Sequence, residues 1–240
     1  ENATTLGYNS GKVSQGADAT AVGVGAGEQS QGAGAVAVGS LAGSADQGAN
    51  SVAVGIYAGY GNQGAACTAV GQSAGTNAQG SNATAVGVSA GQVSQGAQSV
   101  AIGYRAGCAD QGSDSVAIGR ECGLISQGVN CVAVGYAAGY NVQGNQSVAL
   151  GYHAGHADQG GGSVAVGQQA GQNAQGATSV AVGYFAAYAA QGALCTAIGV
   201  EAGCNAQADV ATAVGYRAGY SAQGNSATAL GREAGHNNQG

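Results

Sequence analysis

The stretches AQSVAIGYRAGCADQG at 97–112 and NQSVALGYHAGHADQG at 145–160 decide the fold, because they are variants of one sixteen-residue word. Cutting the 240 residues every sixteen from Glu1 yields fifteen such units without an insertion. Numbering positions within a unit, position 7 is always Gly and position 15 always Gln. Position 16 is Gly except at Ala208, position 11 is Gly except at Ala187, and position 5 is Ala except at Thr5. Position 10 is Ala except at Ser10 and Cys122. Position 6 accepts only Val, Ile or Leu and position 4 only Val or Thr, whereas positions 8, 9, 12, 13 and 14 vary freely. A fixed period of this kind marks a stacked repeat architecture. No linker interrupts it, so residues 1–240 read as a single repeat domain.

Sixteen residues are too few for a helical-hairpin repeat, which needs roughly 33. Three Gly per unit would each cost a helix about 0.8–1 kcal/mol relative to Ala. Positions 3–6, as in Ser99-Val100-Ala101-Ile102, are short and β-branched at alternate residues, and a Gly follows them. That pattern is a strand ending at a corner. One unit is then one coil, and successive coils pair in parallel, which makes the chain an all-β parallel β-solenoid of fifteen coils. A Pro would delete a donor from an inner ladder strand, and the chain has none. The repeat by itself fixes neither the hand of the coil nor its number of faces.

Composition removes several function classes. Charged residues make up 7% of the chain, against about 25% in ordinary soluble domains. With five Lys and Arg and a net charge of −6, the chain lacks the basic footprint of a nucleic-acid or anionic-lipid binder. No run approaches the roughly 18–20 apolar residues of a membrane span. The expectation is therefore no nucleic-acid partner and no membrane insertion.

Side chains alternate along a strand, so positions 4 and 6 share one face and positions 3 and 5 the other. Because position 6 is never polar, the preferred orientation puts positions 4 and 6 in the core, with Ala of position 10 opposite. Positions 3 and 5 then form a flat outer strip. The reverse orientation keeps the small residues inside and leaves a Val/Ile strip outside as a dry interface to another chain. Either leaves one smooth, uncharged face. Seven Thr at position 4 (Thr4, Thr20, Thr68, Thr84, Thr196, Thr212, Thr228) need partners or a place near the rim if that position is internal.

The most informative polar feature is the Gln column: Gln15, Gln31, Gln47, Gln63, Gln79, Gln95, Gln111, Gln127, Gln143, Gln159, Gln175, Gln191, Gln207, Gln223 and Gln239. Identical amides at one register suggest a ladder in which each side chain bonds the next along the axis. The alternative is that each Gln closes its own turn through backbone bonds. Both are structural roles.

Catalytic and metal patterns are weak. His153, His156 and Asp158 form the one cluster resembling metal ligands, but they sit in variable positions of a single unit. They read as surface polar residues, since a site usually needs three or four converging ligands. Neither an HExxH nor a phosphate-loop word occurs. The expectation is no enzyme, no cofactor and no metal.

Cys67, Cys131 and Cys195 share position 3 at four-coil intervals. At roughly 19 Å apart they cannot bond one another. The conceivable internal pairs are Cys108–Cys122, Cys122–Cys131 and Cys195–Cys204. The preferred reading is small buried residues standing in for Ser or Ala, and the sharper one an interchain bridge from position 3. Ten of the eleven Tyr fall at positions 8 and 12, where they cover Gly-rich corners or bind sugars or partner proteins. Sequons at Asn2, Asn82 and Asn145 are candidate glycosylation sites on exposed edges.

The words NSVAVG (50–55), QSVAIG (98–103), DSVAIG (114–119) and NQSVALG (145–151) resemble the YadA-like head repeats of trimeric autotransporter adhesins. The resemblance covers all fifteen units. It implies a left-handed parallel β-roll assembled as a homotrimer on a cell surface for adhesion. Regular first and last units suggest a window of a longer array, or end-to-end stacking. The expected function is an extracellular structural or adhesive fibre on a cell or virion surface. Its partners are further copies of itself and, as an adhesin, a host surface or matrix. The alternative is an ice-binding solenoid, for which the Thr column is interrupted by Val in eight units.

Overall fold

The computed structural model describes residues 2–237. The chain is an all-β parallel solenoid of about fourteen sixteen-residue turns. It comprises two compact units, Glu1–Glu121 and Cys122–Gly240, built on the same plan. The regular elements among the described residues are twenty-five strands of three residues each, with no helix.

Positions 4–6 form the main sheet. In the first unit these strands run from Thr4–Leu6 to Val116–Ile118, each paired in parallel with the next. In the second they run from Val132–Val134 to Thr228–Leu230. The register is a shift of one repeat, so Thr84 faces Val100, Ala85 faces Ala101 and Val86 faces Ile102. Positions 13–15 form a second parallel sheet, from Gln29–Gln31 to Ala109–Gln111 in the first unit. In the second unit it runs from Ile125–Gln127 to Asn173–Gln175. Single bridges at Gln191, Gln207 and Gln223 continue it through the coils where Ala187 and Ala208 replace turn glycines.

Axial hydrogen bonding continues around the turns. Gly59 N donates to Ala74 O at 2.9 Å, Gly64 N to Gln79 O at 2.8 Å and Ser73 N to Ile56 O at 2.9 Å. Two corners leave no room for a side chain, one because of the next coil and the other because of the coil's own Gln. Gly71, at position 7, has φ +129°, and a Cβ there would lie 2.6 Å from the carbonyl oxygen of Gly87. Gly75, at position 11, has φ +52°, and its Cβ would lie 2.7 Å from Gln79 Oε1.

The core reverses the orientation preferred from the sequence. Ala69, Ala74, Ala85 and Ala90, from positions 5 and 10, are fully buried and pack against one another. Position 3 is buried with them, as at Ser51, Cys67 and Ala83. Positions 4 and 6 face outward. Ile102 and Ile118 are each 38% exposed, and Leu230 is 73% exposed. The cause is the thickness of the coil. The Gln of position 15 occupies the centre, and a Cβ added at Gly75 would already sit 3.3 Å from Ala69 Cβ. A core this thin holds methyl groups and one amide per turn but no branched chain, so Val and Ile are displaced to the outer side.

Candidate functional site

Three features could do something beyond holding the coil: the outer apolar face, the buried amide column, and the aromatic turns.

The outer face consists of positions 4 and 6 of the main sheet. The strand pleat sends Val100 and Ile102 to the same side, and the repeat register places Val116 and Ile118 beside them. No coil carries a charged residue at either position. The seven Thr of position 4 lie on this face, outside the core, so their hydroxyls need no internal partner.

The amide column bonds in both of the ways open to it. Gln63 Nε2 donates to Gln79 Oε1 at 2.9 Å, and Gln79 Nε2 to Gln95 Oε1 at 3.0 Å. In the second unit Gln191 donates to Gln207, and Gln207 to Gln223, at 3.0 and 3.1 Å. The same Nε2 atoms reach backbone carbonyls. Gln79 bonds Thr68 O at 3.1 Å, eleven residues back, and Ala83 O at 3.2 Å in the following coil. The ladder has gaps: Gln47 turns its amide to Val36 O and Ser51 O, and Gln63 Oε1 is left buried without a partner. Gln239 lies outside the described residues.

Position 3 explains three of the six cysteines, Cys67, Cys131 and Cys195. Ser51 Oγ donates to Gly64 O at 2.7 Å and accepts from Cys67 N at 3.1 Å. Cys67 Sγ repeats the first bond, to Gly80 O at 2.9 Å, as Cys195 Sγ does to Ala208 O. The thiol occupies the place of a serine hydroxyl. All six thiols are buried, so an interchain bridge from position 3 has no exposed sulfur to form it, and Cys195 and Cys204 remain thiols. Burial pushes the thiols of Cys67, Cys131 and Cys195 up.

The aromatic turns gather the histidines. His153 and His156 stack with centroids 4.5 Å apart and planes 3° apart. Tyr152 stacks on His153 at 4.3 Å and Tyr140 on His156 at 4.8 Å. Desolvation lowers the pKa of both histidines, and in His156 the neighbouring His153 adds to it. Among the described residues no group of three His, Cys, Asp or Glu could hold a metal ion. Parallel stacked imidazoles direct their nitrogens side by side, which suits ring stacking. The sequon residues Asn2, Asn82 and Asn145 are all exposed, and Asn145 Oδ1 accepts a bond from Val129 N at 2.9 Å. No helix is long and apolar enough to cross a membrane among the described residues.

Sequence reasoning missed the direction of the outer face and the stacking of the aromatic turns. The first was signalled by the strict Ala at positions 5 and 10, a size limit, and by Thr recurring at position 4. The second was signalled by Tyr and His sharing position 12. No protein-family model matches the chain and no curated protein does.

Proposed function

We propose that the chain is a non-enzymatic structural protein that assembles side by side through the outer face of its main sheet, forming an adhesive fibre outside the cell or on a cell or virion surface. The observation that supports this is the outward, uncharged Val/Ile/Leu and Val/Thr strip, repeated in register on every coil. With coils about 4.8 Å apart and a strip roughly 10 Å wide, the eight main-sheet strands of the first unit present roughly 400 Å². Apolar patches of about 300–600 Å² are the largest that typical monomers expose, and they are often functional. The lack of charge matches the centre of protein–protein interfaces. Extracellular placement and adhesion rest on the resemblance to autotransporter head repeats.

The test is sedimentation velocity with negative-stain microscopy on the parent chain and on Ile102→Lys/Ile118→Lys. The parent is expected to form filaments or ribbons, and the double variant to stay dispersed with an unchanged circular-dichroism spectrum. A parent that remains monomeric at about 100 μM, or a variant that assembles equally well, sinks the reading.

Ice binding is the second reading, favoured by the outward Thr rows such as Thr196, Thr212 and Thr228, which lie at strand spacing beside apolar side chains. Inhibition of ice recrystallisation by the dispersed double variant's parent, with no assembly, selects it over the first.

A further inference from the structure

Rings at position 12 of the second unit stack in pairs on successive coils. Tyr220 and His236 belong to successive coils, with centroids 5.0 Å apart and planes within 11°. Tyr140 and His156 repeat the arrangement at 4.8 Å and 4°. Between Tyr188 and Tyr220, however, the same position is Cys204, which carries no ring. Two strand spacings, about 9.6 Å, separate the coils of Tyr188 and Tyr220. That distance admits one ring at the stack's own spacing from each neighbour.

A cavity of about 290 Å³ opens at this gap, with Tyr188 on one wall and Tyr220 on the other. Ligand pockets begin near 300 Å³, so it suits a single ring and nothing much larger. Phe185 stands 4.8 Å from Tyr188 and Tyr184 4.4 Å from Phe185, which widens the first wall into an aromatic platform. Cys204 is 6% exposed, and its pKa is pushed up to about 11, first by burial and then by Glu201. It is therefore a neutral, apolar floor at physiological pH. Glu201 and Asn205 form the polar rim. Arg217 Nε donates to Glu201 Oε2 at 2.6 Å, and its guanidinium lies 5.3 and 5.4 Å from the ring centres of Tyr216 and Tyr220.

We propose that this gap binds one neutral pyranose ring of a glycan, stacked between Tyr188 and Tyr220 with its hydroxyls toward Glu201, Asn205 and Arg217. A pyranose has C–H faces that stack on tyrosine and an equatorial edge of hydroxyls that both donate and accept. The rim offers matching groups: a carboxylate that accepts, a guanidinium that donates and an amide that does both. Charged ligands fit less well. Arg217 already pairs with Glu201, so a cation would find no uncompensated negative charge at the rim. An anion would meet the Glu201 carboxylate. The site does not depend on side-by-side assembly, because its residues lie on the turns and none on the outer face.

Isothermal titration calorimetry in the dispersed Ile102→Lys/Ile118→Lys background tests it, which separates failure of the site from failure of assembly. The probes are neutral hexasaccharides derived from cellulose, chitin, mannan and galactan, with tetramethylammonium chloride as the rival. At least one hexasaccharide is expected to bind with Kd of about 1 mM or tighter. Tyr188→Ala and Tyr220→Ala should each weaken it at least tenfold. Cys204→Tyr should abolish it by completing the stack, since Tyr occupies position 12 in four other coils. If Cys204→Tyr does not fold, the two Tyr→Ala variants decide. The proposal is overturned if no hexasaccharide binds below about 10 mM, if either Tyr→Ala variant or a folded Cys204→Tyr binds undiminished, or if tetramethylammonium binds where the sugars do not.

Discussion

Replacing Gln79 by Glu changes one atom of the amide column and reverses what its terminal group can do. In the parent, Nε2 faces three oxygens, Thr68 O, Ala83 O and Gln95 Oε1, and Oε1 accepts from Gln63 Nε2. An ionised Glu would set a buried charge against those three acceptors with one donor left, at a site 2% exposed. The folded state therefore holds the carboxyl protonated, and its pKa rises above the unfolded value of about 4.3. A raised acid stabilises the fold below the unfolded pKa and loses that stabilisation as pH climbs. The slope is about 1.36 kcal/mol per pH unit, so between pH 4.3 and 7 up to about 3.7 kcal/mol disappears. At pH 4 the variant keeps one O–H donor in place of two N–H donors and should lie about 1–2 kcal/mol below the parent. At pH 7 the deficit should reach up to about 5–6 kcal/mol. Guanidinium unfolding followed by circular dichroism, as a parent-minus-variant difference at both pH values, measures it. Because repeat arrays need not unfold in one step, rate-corrected hydrogen exchange over residues 65–96 locates the loss. Equal deficits at pH 4 and pH 7 would refute the buried amide column.

The orientation of the main sheet predicts an inverted mutational pattern. Ala101→Val should cost about 1–3 kcal/mol by overpacking a thin core, whereas Ile102→Ala in dilute, dispersed protein should cost under about 1 kcal/mol. Denaturant midpoints with the opposite ranking would turn the strand over. The thiols give a chemical test. Held protonated by burial, Cys67, Cys195 and Cys204 should resist an exposed-thiol reagent at pH 8 and react on denaturation. Rapid native labelling, or a dimer band that reductant removes, contradicts their inward placement.

What the sequence made legible was the period and everything that follows from it. Position 7 glycine, the three-residue β-branched strands and the missing prolines specify parallel coils one repeat apart, and Gln79 and Gln95 are indeed bonded neighbours. The facing of the strand was misjudged because hydrophobicity was weighed before volume. Ile102 is the greasier residue, but only Ala101 fits beside the central amide. The corners were illegible for a different reason. Positions 2, 9 and 14 adopt left-handed backbone in residues that usually avoid it, such as Leu41, Val142 and Val210, with φ of 56°, 44° and 63°. Their N–H groups bond the neighbouring coil, as Leu41 N does to Val24 O at 2.8 Å and Val210 N to Ala193 O at 2.9 Å. Axial bonding thus imposes a conformation that costs roughly 1–2 kcal/mol locally; Asn, Asp and Gly recur at position 2 in keeping with it, but Leu and Val at these positions do not announce it.

The thin core and the greasy exterior have one energetic consequence. A coil that buries only methyls, an amide and a small hydroxyl or thiol is held mainly by axial hydrogen bonds, and its largest apolar groups remain in water. Covering them with a second copy removes roughly 50 Å² per coil on each partner, about 2.5 kcal/mol gross for the pair of coils. Association itself costs about 4–15 kcal/mol, so two to six coils must meet in register before contact is favourable at all. Such an interface works only if its apolar run is continuous. A charge at position 6 in mid-run divides the strip into shorter pieces, each with less burial to set against that cost. On the proposed assembly, this would be why no charge stands at positions 4 and 6 from Thr4 to Leu230, while positions 8, 9 and 12–14, outside the strip, vary freely.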